Sequence, residues 1–157
     1  MPLLLPVSHT SILTVSEIPL FDKLDFDEIK EIEKRLVYRE LEANKVIYKQ
    51  GAEGRSVCFV VEGALSVIKR SPEGDAAIAT VGKGQAVGEM AMIDGLVRSA
   101  DVVAVSPTSV LLLKREDFEA MVEEHPAIGV KVIKSLARAL SATIRDRSDE
   151  LARLMLG

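Results

Sequence analysis

Val57-Cys58-Phe59-Val60-Val61-Glu62-Gly63-Ala64-Leu65-Ser66-Val67-Ile68-Lys69-Arg70 is two short runs of apolar, largely β-branched residues broken at a Glu-Gly pair. A helix needs apolar groups at spacings of three and four over ten or more residues, whereas brief runs with a glycine between them are the pattern of strands. The pattern extends outward in both directions. It predicts strands over residues 37–42, 46–49, 57–62, 64–70, 76–81, 86–88, 99–105 and 109–115. The breaks fall at Ala43-Asn44, Gly51 to Arg55, Glu62-Gly63, Ser71 to Asp75, Gly82-Lys83-Gly84 and Ser106-Pro107-Thr108. Each contains a residue suited to positive φ or to a fixed turn. Eight short strands leave long edges exposed unless the sheet closes over itself. The expected fold is therefore mainly β with flanking α: an antiparallel β-roll, a double-stranded β-helix of the jelly-roll type.

Outside residues 37–115 the period changes. Residues 1–19 hold Pro2, Pro6 and Pro19 among serines and threonines, an irregular or partly helical start. Phe26, Ile29, Ile32 and Leu36 then recur at helical spacing, with Asp25 or Asp27 as N-cap and an end near Leu36. Glu116 to Glu124 reads as a short helix with Phe118, Met121 and Val122 on its apolar side, and Pro126 opens a longer one reaching about Met155. Along it Ile133, Ala137, Leu140, Ile144, Arg147, Leu151 and Leu154 alternate spacings of four and three, a coiled-coil seam with one charged interruption. A helix of this length overhangs so small a domain, so a homodimer through the C-terminal helix is expected. The chain 1–157 is read as one domain, with a lead-in over 1–36, the roll over 37–115 and C-terminal helices over 116–157.

With 157 residues, 48% apolar and 28% charged, the chain is long enough for one core. A net charge of −4 with no basic block argues against direct nucleic-acid binding. No apolar run approaches the roughly 20 residues of a membrane span, and no Lys or Arg precedes Lys23, as a secretory signal would require. A cytoplasmic protein is expected. The single cysteine, Cys58, sits among strand residues and reads as a packed thiol. The two histidines, His9 and His125, offer no metal-ligand cluster, and neither a Gly-x-Ser-x-Gly elbow nor a Cys/His pair suggests a nucleophile. The chain is read as a non-enzyme without cofactor. Gly82-Lys83-Gly84-Gln85-Ala86-Val87-Gly88 has one residue too many for a dinucleotide fingerprint and no βαβ unit around it, so it reads as a turn.

The chemistry concentrates in residues 87–100, Val87-Gly88-Glu89-Met90-Ala91-Met92-Ile93-Asp94-Gly95-Leu96-Val97-Arg98-Ser99-Ala100. Gly88 lets backbone approach a ligand, and a one-turn helix from about Glu89 would turn free N–H groups outward. The planar fork of Arg98 can hold two phosphate oxygens at once. Glu89 cannot bind phosphate, but it can accept a hydrogen bond from a hydroxyl. On the residues alone, a plain Glu89–Arg98 ion pair is an equally good reading.

Gly88-Glu89-Met90-Ala91 and Arg98-Ser99-Ala100 resemble the phosphate-binding cassette of the cyclic-nucleotide-binding domain family, of the catabolite activator protein and protein kinase A regulatory subunit type. The likeness covers nearly the whole chain. It includes Ile18-Pro19-Leu20-Phe21 with Leu24, Gln50-Gly51 with Gly54 and Ser56, Phe59 and Gly63, and Arg115-Glu116-Asp117-Phe118. It ends with His125-Pro126 and Leu136-Ala137-Arg138. The resemblance implies a regulatory sensor for a 3′,5′-cyclic nucleotide, cyclic AMP favoured over cyclic GMP, that transmits occupancy through its C-terminal helix to an effector protein. By the same resemblance Arg98 holds the exocyclic phosphate oxygens, Ser99 adds a hydroxyl and a backbone N–H, and Glu89 takes the ribose 2′-hydroxyl. Gly88, Met90 and Ala91 supply backbone contacts, Ala100 completes the motif, and Thr143 on the long helix reaches the adenine amino group. Val87, Val97 and Asp101 depart from the family's usual Phe, Pro and Thr. An inward Asp101 would repel phosphate. That charge motivates the alternative of a β-roll without ligand, serving as a dimerisation or protein-interaction domain.

Overall fold

The computed structural model describes the backbone of residues 4–6 and all of residues 15–157. Among the described residues nine strands form two antiparallel sheets that face each other, with helices on the outside of one. The strands are β1 (Leu4–Pro6), β2 (Leu36–Leu41), β3 (Val46–Tyr48), β4 (Ser56–Glu62), β5 (Leu65–Lys69), β6 (Ala76–Val81), β7 (Ala86–Val87), β8 (Asp101–Ala104) and β9 (Thr108–Lys114). One sheet has the order β1-β2-β9-β4-β7 and the other β3-β8-β5-β6. This is the expected antiparallel β-roll.

β4 and β9 lie at the centre of the first sheet and are covered on both faces. On one face Val57, Phe59, Leu111 and Leu113 join Ile29, Ile32, Phe118, Met121 and Val132 of the helices. On the other, Cys58, Val60, Val110 and Leu112 join Leu65, Val102 and Ala104 inside the roll. Two-sided burial explains why these strands read as continuous apolar runs rather than as alternating ones. The thiol of Cys58 is fully buried, and that burial pushes its pKa up to about 12, so it is packed and inert.

Strand β1 was not expected, because two prolines crowd that segment. It pairs antiparallel with β2 from Leu4 opposite Arg39 to Pro6 opposite Val37. It is an edge strand, where proline's missing N–H leaves no ladder bond unmade. The rest of the lead-in up to Thr14, including His9, lies outside the described residues. A 3-10 turn at Pro19–Phe21 follows, and buries Leu20 and Phe21.

Helix α1 (Phe26–Glu33) is closed by a capping box: Asp25 accepts from the Glu28 amide at 2.9 Å and its own amide donates to Glu28 at 3.0 Å. It ends three residues earlier than its periodicity predicts. Leu36 falls at helical spacing but belongs to β2, where it lies opposite Leu113 and is 4% exposed. Helix α2 is the single turn Met90–Asp94, and α3 (Arg115–Glu124) and α4 (Pro126–Leu156) complete the fold. Glu28 holds Lys131 of α4 at 2.5 Å and Arg35 holds Glu124 at 2.8 Å, so the first helix and its exit are tied to the last two.

At its start α4 buries Ile128, Val132 and Leu136, but Ile144, Leu151 and Leu154 are exposed at 68%, 58% and 76%. The 31-residue helix is about 46 Å long at 1.5 Å per residue, well beyond the roll that supports its first half. No helix among the described residues is long and apolar enough to cross a membrane.

The corner between β4 and β5 depends on Gly63, whose φ is +92°. A Cβ there would lie 2.5 Å from the Thr108 hydroxyl and 2.7 Å from the Pro107 carbonyl. That hydroxyl accepts from the Ala64 amide at 3.2 Å and lies 2.7 Å from the Ser106 carbonyl, so it has little room to yield. Gly63→Ala is expected to lower unfolding stability by at least about 1 kcal/mol in urea denaturation; an unchanged midpoint would show that the corner relaxes freely.

Candidate functional site

The end of β7 turns sharply at Gly88, where φ is +85°. A Cβ at that position would sit 2.5 Å from Arg98 Nη1 and 3.2 Å from the Tyr48 ring, so the close approach of three segments requires glycine. Helix α2 follows, with Glu89 as its N-cap, and Gly95 ends it in the left-handed conformation with its amide donating to Ala91 at 3.1 Å. Gly54 presses on this turn from the loop before β4. Its missing Cβ would meet that of Ala91 at 2.5 Å and the Leu96 carbonyl at 2.7 Å.

Arg98 lies at the centre of this convergence and is 9% exposed. Its Nη2 donates to the Ser56 carbonyl at 2.7 Å and its Nη1 to the Gly88 carbonyl at 3.4 Å. The guanidinium lies over the Tyr48 ring, 3.6 Å from the centroid. Tyr48 is itself fixed by a 2.7 Å hydrogen bond between its hydroxyl and that of Ser56, and burial pushes its pKa up to about 12. Arg98 Nε has no hydrogen-bond partner among the described residues. Among the described residues no carboxylate pairs with this cation, and the Glu89–Arg98 ion pair is not formed. Glu89 has its pKa raised by burial, which disfavours its charged form. A buried charge is costly unless a counter-charge and hydrogen bonds offset it. Here the described residues supply dipoles and an aromatic face but no anion.

Asp101 does not compete for Arg98. It accepts from the Gln50 amide at 2.7 Å and from Arg70 Nε at 2.7 Å, and Arg70 also reaches Asp75 at 2.5 Å. The Gln50 amide, followed by Arg70, holds the Asp101 carboxyl below the usual aspartate range. Gln50 also makes a two-way pair with the Arg70 backbone, at 2.8 and 3.0 Å. Around it the backbone of the arginine is pinned. The Arg98 amide donates to Ala52 at 2.7 Å, its carbonyl accepts from Gly51 at 2.9 Å, and the Ser99 carbonyl accepts from Lys69 Nζ at 2.6 Å.

The structure thus brings Gly88, Glu89, Met90, Ala91, Arg98, Ser99 and Ala100 into one cassette. Ala91 and Ala100 are buried, whereas Ser99 and Met90 are exposed. Met90, Ile93, Leu96 and Val97, each 57–66% exposed, form an apolar lip. On the roll's inner face Leu65 and Val81 are a buried cross-strand pair, yet the next pair on that face leaves Val67 half-buried and Ala79 exposed. Val67 lies opposite Val102, two residues beyond Ala100, so the inner wall is accessible close to the cassette. Thr143 is not gathered here. It is exposed on α4, its hydroxyl donates to Ala139 at 3.0 Å, and the contacts of α4 lie principally with α3 and the 3-10 turn.

Tyr48 and Arg70 were missed by sequence reasoning, and Gln50 and Ser56 were noted without a role. A weak signal existed at Tyr48, an aromatic at the end of a short strand. The contacts that place the others at the site, with partners 20 to 51 residues away, are ones that local pattern does not report.

A family model described as "Cyclic nucleotide-binding domain" matches residues 38–125. A cyclic nucleotide-gated potassium channel of Mesorhizobium japonicum is 38% identical over 114 residues, which is 73% of this chain and 30% of the channel. The chain therefore spans less than a third of that relative. A cyclic nucleotide-binding domain from Methylobacillus flagellatus superposes with a TM-score of 0.88 at 28% identity, covering 99% of this chain and 90% of that one. The catabolite activator protein of Thermus thermophilus superposes at 0.76 with 31% identity, over 87% of this chain and 62% of its own.

The Asp101 anchor has a pH signature. An acid whose folded pKa lies below its unfolded value, about 3.9 for aspartate, stabilises the fold fully above that value and loses the contribution as pH falls through the folded pKa. Asp101→Asn should be less stable than the unaltered protein at pH 7, and the gap between their urea midpoints should narrow below about pH 4; a gap independent of pH would remove the charge from the anchor's role.

Proposed function

This chain belongs to the cyclic nucleotide-binding domain family, and from that premise we propose a cytoplasmic sensor that binds cyclic AMP in preference to cyclic GMP and acts as a single domain. The observation that carries the proposal is Arg98, a buried guanidinium with no carboxylate partner among the described residues and one nitrogen unpartnered. A cyclic phosphate supplies the missing charge and accepts from the fork, displacing the weak 3.4 Å bond to Gly88 first. Ser99, exposed beside it, adds its hydroxyl and amide. Glu89 disfavours ionisation where it stands, and a ribose 2′-hydroxyl donating to it lowers that cost. Gly88, Met90, Ala91 and Ala100 shape the backbone around the ring. Binding is the whole of its chemistry, with no catalytic step and no cofactor.

The engagement of Asp101 by Arg70 and Gln50 offsets the charge that motivated the alternative of a roll without ligand, which supports the sensor reading. Recognition of the base falls to Thr143, whose hydroxyl accepts from the adenine amino group once α4 of this chain or of a second copy lies across the pocket. The exposed row Ile144, Leu151 and Leu154 is the surface through which two copies pair and through which occupancy passes to an effector protein.

Titration calorimetry is expected to show cyclic AMP binding more tightly than cyclic GMP, with Thr143→Ala narrowing the difference. Arg98→Ala should weaken cyclic AMP binding by about tenfold to a hundredfold, the equivalent of roughly 1.5–3 kcal/mol. An absence of heat from either nucleotide at millimolar concentration would end the proposal. In sedimentation velocity the unaltered chain should be a dimer, and the pair Ile144→Asp with Leu151→Asp a monomer; an unaltered chain that stays monomeric at every concentration would dissociate the helix from pairing.

A further inference from the structure

We infer a second small-molecule site in this chain, outside the cassette, that takes a monocarboxylic acid with an apolar body. Strands β2 and β3 are consecutive but belong to different sheets, and the seam between them opens into a cavity of about 770 Å³. Its floor is apolar, formed by Val37, Ile47, Tyr48 and Leu112. Arg39 stands in this floor. It shares the inner face of β2 with Val37 and Leu41, which pack with the interior of the roll, so its side chain leaves β2 on the side of the roll. It is only half-exposed, and it makes no hydrogen bond or ion pair among the described residues.

The other charges decide what the cavity accepts. Arg55 and Arg115 also line it, but they are engaged by Glu53 at 2.7 Å and Glu119 at 3.1 Å. That leaves Arg39 and Lys114 facing one unpaired carboxylate, Glu116. The adjoining recess, about 740 Å³, shares Arg39 and Ile47 and sets Glu40, Glu42 and Glu62 against Lys45, a lining less favourable to an anion. The negative group is therefore directed to Arg39 from the side of the first cavity. One free planar fork and a nearby carboxylate suit a monoanion, gripped by two parallel N–H donors, better than a phosphate of higher charge. The volume lies within the range of ordinary ligand pockets, and the apolar patch of Val37, Ile47, Tyr48 and Leu112 lies beside a rim of charged side chains. Tyr48 is a wall of this cavity and also the ring on which Arg98 rests, so the site adjoins the cassette without sharing its cation.

The test uses the unaltered chain and 4-phenylbutyrate, followed by amide NMR, with 4-phenylbutan-1-ol as the uncharged comparison. The acid is expected to shift the amides of Ile47, Tyr48 and Leu112 saturably and to bind at least about tenfold more tightly than the alcohol. Arg39→Gln should bring the acid down to the alcohol's affinity, and saturating cyclic AMP should not displace it. Equal binding of acid and alcohol, displacement by cyclic AMP, or shifts confined to α4 would each overturn the inference. Because the comparison of acid with alcohol needs neither a variant nor a nucleotide, its result stands whether or not the cassette binds its ligand.

Discussion

Arg98 lies over the Tyr48 ring, donates to two carbonyls and pairs with no carboxylate among the described residues. Much of the local architecture is arranged to tolerate that cation. Gly88 is a glycine because a side chain there would collide with it, and the Tyr48–Ser56 hydrogen bond keeps the aromatic face beneath it. The backbone of residues 98 and 99 is fastened on both sides by Gly51, Ala52 and Lys69. A positive charge positioned with this much support, beside a carboxylate that resists ionisation, is what makes an external anion the partner in the function proposed above.

Rigidity at this point comes from the sheets. β4 and β9 are buried on both faces, so neither can shift register without moving apolar groups into the wrong layer. Ser56, at the start of β4, inherits that constraint and passes it to Arg98 through its carbonyl. Asp101, the first residue of β8, does the same from the opposite sheet by tying Gln50 and Arg70 together. The cassette is thus held by two sheets while its own lip, from Met90 to Val97, carries exposed apolar side chains. α4 shows the same division, anchored through Ile128, Val132 and Leu136 and exposed beyond Leu140.

Much of this was legible before any coordinates. Glycine-punctuated apolar runs marked eight of the nine described strands, because turns and two-sided burial leave local traces. Pro126 marked the start of the long helix because its fixed φ suits a first turn. Leu36 misled because it satisfies helical spacing and strand pairing alike, and only its position opposite Leu113 separates the two. β1 escaped because its proline counts against a strand everywhere except at an edge, and edges are defined by neighbours.

The cassette was visible for the same reason: its glycine, acid and arginine lie within eleven residues, and the chemistry each can perform is intrinsic to its side chain. What surrounds them was not. Whether Asp101 faces Arg98 or Arg70, whether Glu89 pairs with Arg98, and which aromatic supports the guanidinium are settled by residues tens of positions apart. Sequence by itself determined the roll, its helices and the residue types able to hold a phosphate, since those follow from periodicity, turn geometry and functional groups. Only the tertiary structure decided which charges are paired and which are left over, because a charge's partner is fixed by proximity in space, and β pairing brings together residues that the chain keeps far apart.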